Sequence, residues 1–370
     1  MAMHPAVEPL FRPFTVKTLS LRNRIVMAPM TRSFSPRGVP GPNVAAYYQR
    51  RAENGVGLIV TEGTVVPHPS SSGYPDVPRL FGSESLNGWA GVVSAVHDAG
   101  GRIVPQLWHV GTVRKPGWAP SPDVPRVGPS GLAGPGEAVG EPMTLDDIEA
   151  VISAFGEAAS NAVRLGFDGL ELHGAHGYLI DQFFWERTNQ RTDEWGGDLV
   201  ARTRFAVRVI EECRGAVGPS FPILFRFSQW KLQDYDAKPA ATPAELARWL
   251  EPLAQAGVDM FHCSTRRFWE PEFAGSPLNL AGWTKRLTGR PAITVGSVGL
   301  DNDFVAGLRQ GKVGHNVGLE TLVGMIDREE VDLAAIGRAL LVDPSWAVKI
   351  RDCRGSELVP FTPEATGTLY

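Results

Sequence analysis

Short apolar runs recur along the chain, and most of them end at a glycine, serine, threonine or charged residue. Runs of this kind, bounded by turn-forming residues, are typical of buried strands. Eight of them predict strands: Ile25–Ala28, Leu58–Thr61, Ile103–Leu107, Phe167–Leu172, Ile223–Phe227, Met260–Cys263, Ile293–Val295 and Leu333–Ile336.

Segments with helical periodicity lie between most of these runs. They are Asn87–Ala99, Leu145–Leu165, Ala201–Arg214, Pro243–Ala256 and Asp301–Arg309, and several begin next to a capping residue such as Thr144 or Thr242. Eight strand and helix alternations predict a single (β/α)8 TIM barrel of the α/β class rather than an open sheet. A doubly wound sheet would need a glycine-rich turn after its first strand, and residues 28–31 read Ala-Pro-Met-Thr.

One connection is much longer than a helix and two loops require. It runs from Leu107 to Phe167 and contains a stretch rich in proline and glycine, Lys115–Pro142. We expect a lid or substrate-shaping insertion at about residues 112–143, with a disordered surface loop as the alternative. No linker divides the chain, so residues 1–370 are expected to form one domain.

Composition and charge exclude several classes of protein. The chain has 370 residues, of which 43% are hydrophobic and 21% charged, and a net charge of −4. This balance gives no electrostatic reason to expect a nucleic acid or an anionic membrane as partner. The N-terminus lacks the apolar region of a secretory signal, and no apolar run reaches the length of about 18 residues typical of a membrane helix, so we expect a cytoplasmic protein. Three widely spaced cysteines predict neither a disulfide framework nor a cysteine-rich metal or iron–sulfur site.

The exit of the fourth predicted strand carries the most distinctive chemistry. His173, His176 and Tyr178 fall within six positions there. Two neutral imidazoles on one loop can direct N–H groups at a single oxygen, and a tyrosine, protonated at neutral pH, can act as a general acid. Any one of these residues alone could be an ordinary core residue. All three together at one strand exit favour a site that binds an oxygen and moves a proton.

Other strand exits predict a phosphate site and a site for a flat heterocycle. Gly296-Ser297 and Gly337-Arg338 follow the last two strands, where barrels commonly bind phosphate. Gln106 offers a donor and an acceptor to an imide-like edge, and Arg226 could hold a negative charge, although a salt bridge in the barrel mouth is the alternative for that arginine. A flavin has both features.

The motifs LSLRNRIVMAPMTR, GLIVTEG, PQLWHVG, HGAHGYLIDQFFWERTNQRTDEWGG, LFRFS, TVGSVG and AIGRALLVDPSW run through nearly the whole chain. In them the chain resembles the old yellow enzyme family of FMN-dependent NAD(P)H oxidoreductases. The resemblance implies one FMN in a barrel, reduced by NADH or NADPH and reoxidised by an activated alkene such as an enone or enal.

The same resemblance implies a role for each matching residue. His173 and His176 would hold the substrate carbonyl, and Tyr178 would protonate the α-carbon. Thr31 would bond the flavin edge. The FMN would contact Ala28, Pro29, Met30, Thr31, Gly63, Gln106, Arg226, Gly296, Ser297, Gly337 and Arg338.

The chain also departs from the common patterns of that family. Thr31 stands where one subgroup has a cysteine, yet His176 stands where the threonine-bearing subgroup usually has an asparagine. Cys263 is read as a core residue rather than a catalytic one. No closely spaced cysteines follow the barrel before Tyr370, so we expect electrons to come directly from NAD(P)H rather than through an iron–sulfur cluster and a second nucleotide domain.

Three functions are compatible with these features of the sequence. The first is an ene-reductase for α,β-unsaturated carbonyl or nitro compounds. The second is a flavin-dependent dehydrogenase or N-demethylase that works oxidatively, and the third is a redox-free barrel lyase or isomerase. The sequence does not fix the substrate or the direction. Arg266 and Arg267 could contact the 2′-phosphate of NADPH or lie in solvent, and a homodimer is expected only as the commonest default.

Overall fold

The computed structural model describes residues 5–115, 117, 123–134, 136–303, 307, 310–315 and 317–370. Its strands are β1 (Phe14–Val16), β2 (Leu19–Leu21), β3 (Ile25–Met27), β4 (Leu58–Val65), β5 (Ile103–Trp108), β6 (Val127–Gly128), β7 (Leu132–Gly134), β8 (Glu137–Ala138), β9 (Glu141–Pro142), β10 (Leu170–His176), β11 (Ile223–Lys231), β12 (Met260–Ser264), β13 (Ala292–Val295) and β14 (Leu333–Ile336). Its α-helices are α1 (Pro42–Glu53), α2 (Ser83–Asp98), α3 (Leu145–Arg164), α4 (Leu179–Phe184), α5 (Arg204–Val217), α6 (Pro243–Ala256), α7 (Leu280–Thr288), α8 (Glu320–Asp327), α9 (Arg338–Val342) and α10 (Trp346–Arg351).

Eight parallel strands close into a barrel in the order β3, β4, β5, β10, β11, β12, β13 and β14. The last strand pairs with the first, with Ala335 beside Val26, so the barrel strands leave no open edge. Each of the eight apolar runs overlaps one barrel strand, and the predicted (β/α)8 fold is confirmed.

The fourth barrel strand is displaced from its predicted position. It covers Leu170–His176 instead of Phe167–Leu172, so His173 and His176 lie in the strand and not on the loop after it. Phe167 packs in the outer core, against Trp89. Gly174 does not end the strand, because its missing side chain makes room for the ring of Phe225, with which a Cβ would collide.

The predicted helices differ from the observed ones mainly at their ends. Thr144 and Thr242 both form capping boxes, which fixes the start of α3 and α6. The predicted helix Asp301–Arg309 lies mostly outside the described residues, and residues 301–303 are not helical. Helices α1, α4, α7, α8, α9 and α10 were not predicted.

Side chains alternate along the barrel strands between an inner and an outer core. On β11, for example, Leu224 points into the barrel while Phe225 packs outside against the helices. Leu19 and Leu21 of the β1–β2 hairpin join the inner cluster and close its amino-terminal end. The interior is thus apolar at that end, which leaves polar side chains to the carboxyl ends of the strands.

The long connection after β5 contains two small sheets, β6 with β9 and β7 with β8. Its described part is tied to the loop after α4, because Arg191 donates from Nη1 to the carbonyls of Pro129 (3.0 Å) and Met143 (2.5 Å). Asp193 pairs with Arg191 at 2.5 Å. The RTDEWGG motif therefore anchors this insertion. None of the described residues of 112–143 lines the cavity at the carboxyl ends of the barrel strands. Residues 116, 118–122 and 135 lie outside the described part, so a lid there stays a prediction.

None of the described helices has the length and apolar character needed to cross a membrane. In the same part of the chain, no group of three or more His, Cys, Asp or Glu residues could hold a metal ion.

Candidate active site

A cavity of about 430 Å³ lies at the carboxyl ends of the barrel strands. The structure brings to its wall every residue that the sequence analysis assigned to the site: Ala28, Pro29, Met30, Thr31, Gly63, Gln106, His173, His176, Tyr178, Arg226, Gly296, Ser297, Gly337 and Arg338.

Gly296, Ser297 and Arg338 form one end of this cavity. Gly296 has a φ of 149°, and a Cβ there would lie 2.6 Å from Thr265 Oγ1, so the approach of the β12 exit loop requires glycine. Ser297 follows with a φ of 54°. Arg338 Nη2 lies 3.3 Å from Ser297 Oγ. Burial lowers the pKa of Arg338 to about 10, so its guanidinium stays charged at neutral pH and could bind a phosphate.

A network of buried polar side chains lies deeper in the barrel. Gln106 Nε2 donates to Glu171 Oε1 at 2.7 Å, and His262 Nδ1 lies 2.7 Å from Glu171 Oε2. Glu171 takes up one of the two N–H donors of Gln106, so the amide oxygen and the second N–H remain for a ligand. The prediction that Gln106 offers both a donor and an acceptor to an imide-like edge is compatible with this contact.

Glu171 and Arg226 balance each other's charge in this network. Burial alone would raise the pKa of Glu171, but His262, Arg226 and Gln106 together hold that pKa below its ordinary value, so Glu171 is ionised at neutral pH. Burial lowers the pKa of Arg226, and Glu171 opposes this shift. Arg226 forms no ion pair among the described residues, and its Nε is buried without a partner there. These observations favour a ligand over a salt bridge as the partner of Arg226.

The features at the two ends of the cavity fit FMN. A charged arginine and a glycine-forced turn lie at one end, and an amide oxygen and an incompletely paired buried guanidinium lie at the other. Arg338 with Ser297 would hold the phosphate, while Gln106 and Arg226 would face the polar edge of the ring.

His173 is held as a neutral hydrogen-bond donor. Burial, with the nearby charge of Arg226, keeps its pKa well below the ordinary value. Its Nδ1 accepts from the backbone N–H of Ala175 at 3.3 Å, so the proton of the neutral ring resides on Nε2. The ring stacks on Trp108 at 6.2 Å and meets Tyr178 edge to face at 5.0 Å.

His176 depends on an irregularity in β10. The register with β11 shifts between Gly174 and His176, and His176 adopts a φ of 65°. Its backbone N–H donates to Ser228 Oγ at 3.0 Å, which supports this strained conformation. Its Nε2 lies 2.8 Å from Ser264 Oγ. Burial, then Arg226, lowers its pKa well below the ordinary value, so this ring is neutral as well.

Tyr178 is positioned by a turn that a buried ion pair secures. Asp181 Oδ2 accepts from the N–H of Gly177 at 2.7 Å, and Lys231 Nζ lies 2.5 Å from Asp181 Oδ1. Both charged side chains are 0% exposed. The hydroxyl of Tyr178 lies 3.0 Å from that of Tyr74. None of the residues that support Tyr178 was predicted from the sequence to belong to the site.

The sequence predicted no role for several other residues of the cavity wall: Arg32, Tyr74, Trp108, Trp230, Leu232, Ser264 and Thr366. Trp108 shares the inward face of β5 with Gln106, so the alternation along the strand could have indicated it. Glu171 could have been found in the same way, since it lies two positions before His173. Tyr74 and Thr366 are on irregular segments without such a signal.

The structure places the two arginines whose roles the sequence left open, and also Cys263. Arg266 lines the cavity. Arg267 instead pairs with Asp303 at 2.6 Å and Glu270 at 3.0 Å. Cys263 is fully buried in the outer core, where burial raises the pKa of its thiol to about 12. This location agrees with a core role for Cys263.

Comparison with known proteins identifies the family. The model of the family described as NADH:flavin oxidoreductase / NADH oxidase matches residues 9–357. The chain belongs to this family. The expected membership of the old yellow enzyme group is thereby confirmed.

Individual relatives of this family cover different parts of the chain. The putative 12-oxophytodienoate reductase 2 of Oryza sativa subsp. japonica is 42% identical over 59% of this chain, and this match also spans 59% of the rice protein. The NADH oxidase of Thermoanaerobacter brockii is 33% identical over 94% of this chain, and the chain spans about half (52%) of that longer protein. The structure of morphinone reductase in complex with tetrahydroNAD has 28% identity and a TM-score of 0.79, covering 96% of this chain and 93% of that one.

Proposed function

We propose that this protein is an FMN-dependent oxidoreductase that takes its electrons from NADH or NADPH. It reduces the activated C=C bond of α,β-unsaturated carbonyl or nitro compounds. The observation that carries the proposal is the pairing of His173 and Tyr178 on one wall of the cavity. A neutral N–H donor for an oxygen therefore lies beside an O–H that can move a proton. Reduction of a polarised alkene requires both groups.

The roles of the residues follow from their chemistry. His173, through Nε2, and His176 bind the oxygen conjugated with the alkene, and their N–H groups stabilise the negative charge that develops on it. Bound FMN supplies hydride chemistry at the β-carbon. Tyr178 donates its hydroxyl proton to the α-carbon, which completes the saturation of the bond.

The expected contributions are large enough to measure separately. One well-aimed donor to a developing oxyanion contributes about 2.7–4 kcal/mol to transition-state stabilisation. A positioned general acid contributes a rate factor of roughly 10²–10⁴. Loss of Tyr178 is therefore expected to slow the alkene step far more than the reduction of the flavin.

The relatives support the reductive direction. The rice protein and the solved morphinone reductase are both named as reductases of compounds other than the flavin. The oxidative and redox-free alternatives have no comparable support among the described contacts. A cytoplasmic location, a single domain and a homodimer remain predictions.

The proposal is tested by separating the two half-reactions. Purified protein is bleached anaerobically with NADH or NADPH and then mixed with 2-cyclohexenone while the flavin absorbance is followed. We expect rapid reoxidation by the enone. In Tyr178→Phe, we expect normal bleaching and slow reoxidation.

A bleached wild-type flavin that no enone or nitroalkene reoxidises would exclude ene reduction. Equal slowing of both half-reactions in Tyr178→Phe would contradict its role as the proton donor. Replacing His173 and His176 together should abolish the binding of phenol-type ligands, and retained binding would overturn the assignment of these residues.

A further inference from the structure

Tyr178 is linked by its hydroxyl to a second tyrosine. The hydroxyls of Tyr178 and Tyr74 are 3.0 Å apart. Tyr74 lies on the connection between β4 and α2, and its ring stacks on Trp108 with a centroid distance of 5.3 Å. Trp108 in turn meets the ring of Tyr178 edge to face at 5.0 Å. The three rings therefore support one another and hold the two hydroxyls at hydrogen-bond distance.

A second cavity of about 820 Å³ lies on the far side of this cluster. Its wall includes Val65, Pro67, His68 and Tyr74, and its rim includes the exposed residues Arg37, Asp76 and Glu84. Tyr74 belongs to the walls of both cavities. An open rim gives water access to the second cavity, so Tyr74 stands between that water and Tyr178.

The reaction creates a need for such a connection. Once Tyr178 has given up its proton, a phenolate remains on a side chain that is 7% exposed. A buried phenolate without a donor is costly. His173 meets the edge of the Tyr178 ring, and Trp108 covers another side, while the hydroxyl of Tyr74 is directly within reach.

We infer that Tyr74 passes a proton from the second cavity to Tyr178 as Tyr178 protonates the substrate; this inference rests on the proposed function. A C–H bond forms at the α-carbon as the O–H bond of Tyr178 breaks. The proton of Tyr74 moves to the oxygen of Tyr178, and water in the second cavity returns a proton to Tyr74. Overall one solvent proton is consumed, and the hydride comes from the reduced cofactor.

The test is Tyr74→Phe, which keeps the ring on Trp108 and removes only the hydroxyl. The rate of flavin reoxidation by 2-cyclohexenone is measured at saturating enone in mixtures of H₂O and D₂O. We expect this rate to fall by about ten-fold or more. The fall should be smaller than the rate factor of roughly 10²–10⁴ that a general acid contributes, because Tyr178 itself remains. In the wild type two protons move together, so a plot of the rate against the deuterium fraction of the solvent should be curved. In the variant only one proton moves, so the same plot should be a straight line.

Tyr235→Phe is the matched control. Tyr235 stacks on Trp230 at 5.8 Å, away from the Tyr74–Tyr178 pair, so it should retain both the wild-type rate and the curved dependence. Wild-type kinetics in Tyr74→Phe would overturn the relay. So would weaker enone binding with an unchanged limiting rate, since that result describes a substrate contact. If the wild-type flavin is not reoxidised by any alkene, the proposed function fails instead, which keeps the two failures distinct.

Discussion

The buried pair Lys231–Asp181 allows a quantitative test of how the turn before Tyr178 is held. The two side chains are 2.5 Å apart and both are 0% exposed. Lys231 also donates to the carbonyl of Ser228 at 3.1 Å, and Asp181 accepts from Gly177. Asp181→Asn removes the negative charge and retains an oxygen for Gly177. The variant therefore tests the charge of the Lys231–Asp181 pair while the hydrogen bond from Gly177 is kept.

The expected cost of this substitution is about 3–5 kcal/mol in the free energy of unfolding, the usual result of leaving a buried charge without its partner. The cost of neutralising Lys231 gives a second estimate of similar size. If Lys231 escapes by losing its proton at pH 7, neutralising a lysine of ordinary pKa costs about 1.4 kcal/mol for each pH unit, or about 5 kcal/mol. This loss is a large fraction of the total stability of about 5–15 kcal/mol that is usual for proteins.

The effect should depend on pH in one direction. Burial already lowers the pKa of Lys231, and Asp181 opposes that shift. Without Asp181 the folded-state pKa falls further below the unfolded value. The unfolded chain then binds more protons than the folded one, so the variant gains stability as pH rises from the folded pKa towards about 10.4. It is least stable in acid.

Chemical unfolding of wild type and Asp181→Asn at pH 6.5 and pH 9 measures both quantities. Glu149→Gln serves as the control, because its pair with Arg208 is exposed and 3.4 Å long, and its loss should cost less than about 1 kcal/mol. A loss in Asp181→Asn as small as that of the control would refute the reasoning. A loss that grows with rising pH would refute it equally.

Three further outcomes are expected. Burial keeps the pKa of His173 and His176 well below the ordinary value, so the affinity for a phenol-type ligand should show no histidine inflection between pH 6 and 8. A clear inflection in a titration of that affinity would contradict neutral rings. Glu171→Gln leaves Arg226 without its compensating charge and should raise the midpoint potential of bound FMN, measured by dye-coupled reduction; an unchanged or lower potential would disprove the charge balance. Arg338→Leu should weaken FMN binding about ten- to a hundred-fold in a fluorescence titration, because that factor corresponds to the free energy of one hydrogen bond to a charged group. Wild-type affinity in this variant would exclude Arg338 from the phosphate site.

The sequence predicts the barrel well because its signal is local. Each barrel strand is an apolar run with turn residues behind it, and residues at strand exits meet in any closed barrel. Gly296 and Arg338 could therefore be assigned to one phosphate site although they are far apart in the chain. Their positions at the exits of the last two strands were enough for this prediction.

Other features depend on contacts that no local pattern records. The bulge that turns His176 towards Ser264 arises where β10 and β11 fall out of register, and register is a property of two strands. The β1–β2 hairpin closes the barrel because Leu19 and Leu21 fill space left by other strands. Tyr74 reaches Tyr178 from a loop 104 positions earlier, where neither periodicity nor motif indicates a partner.

The most direct test of the central claim follows a label into the product. NADH or NADPH deuterated at the transferring position is used to reduce 2-cyclohexenone in H₂O, and the saturated ketone is analysed by NMR. Reduction through hydride transfer and protonation by Tyr178 predicts deuterium at the β-carbon from the nicotinamide and hydrogen at the α-carbon from solvent. A saturated ketone whose β-hydrogen comes from water, or no saturated ketone with any activated alkene, would contradict the proposed function.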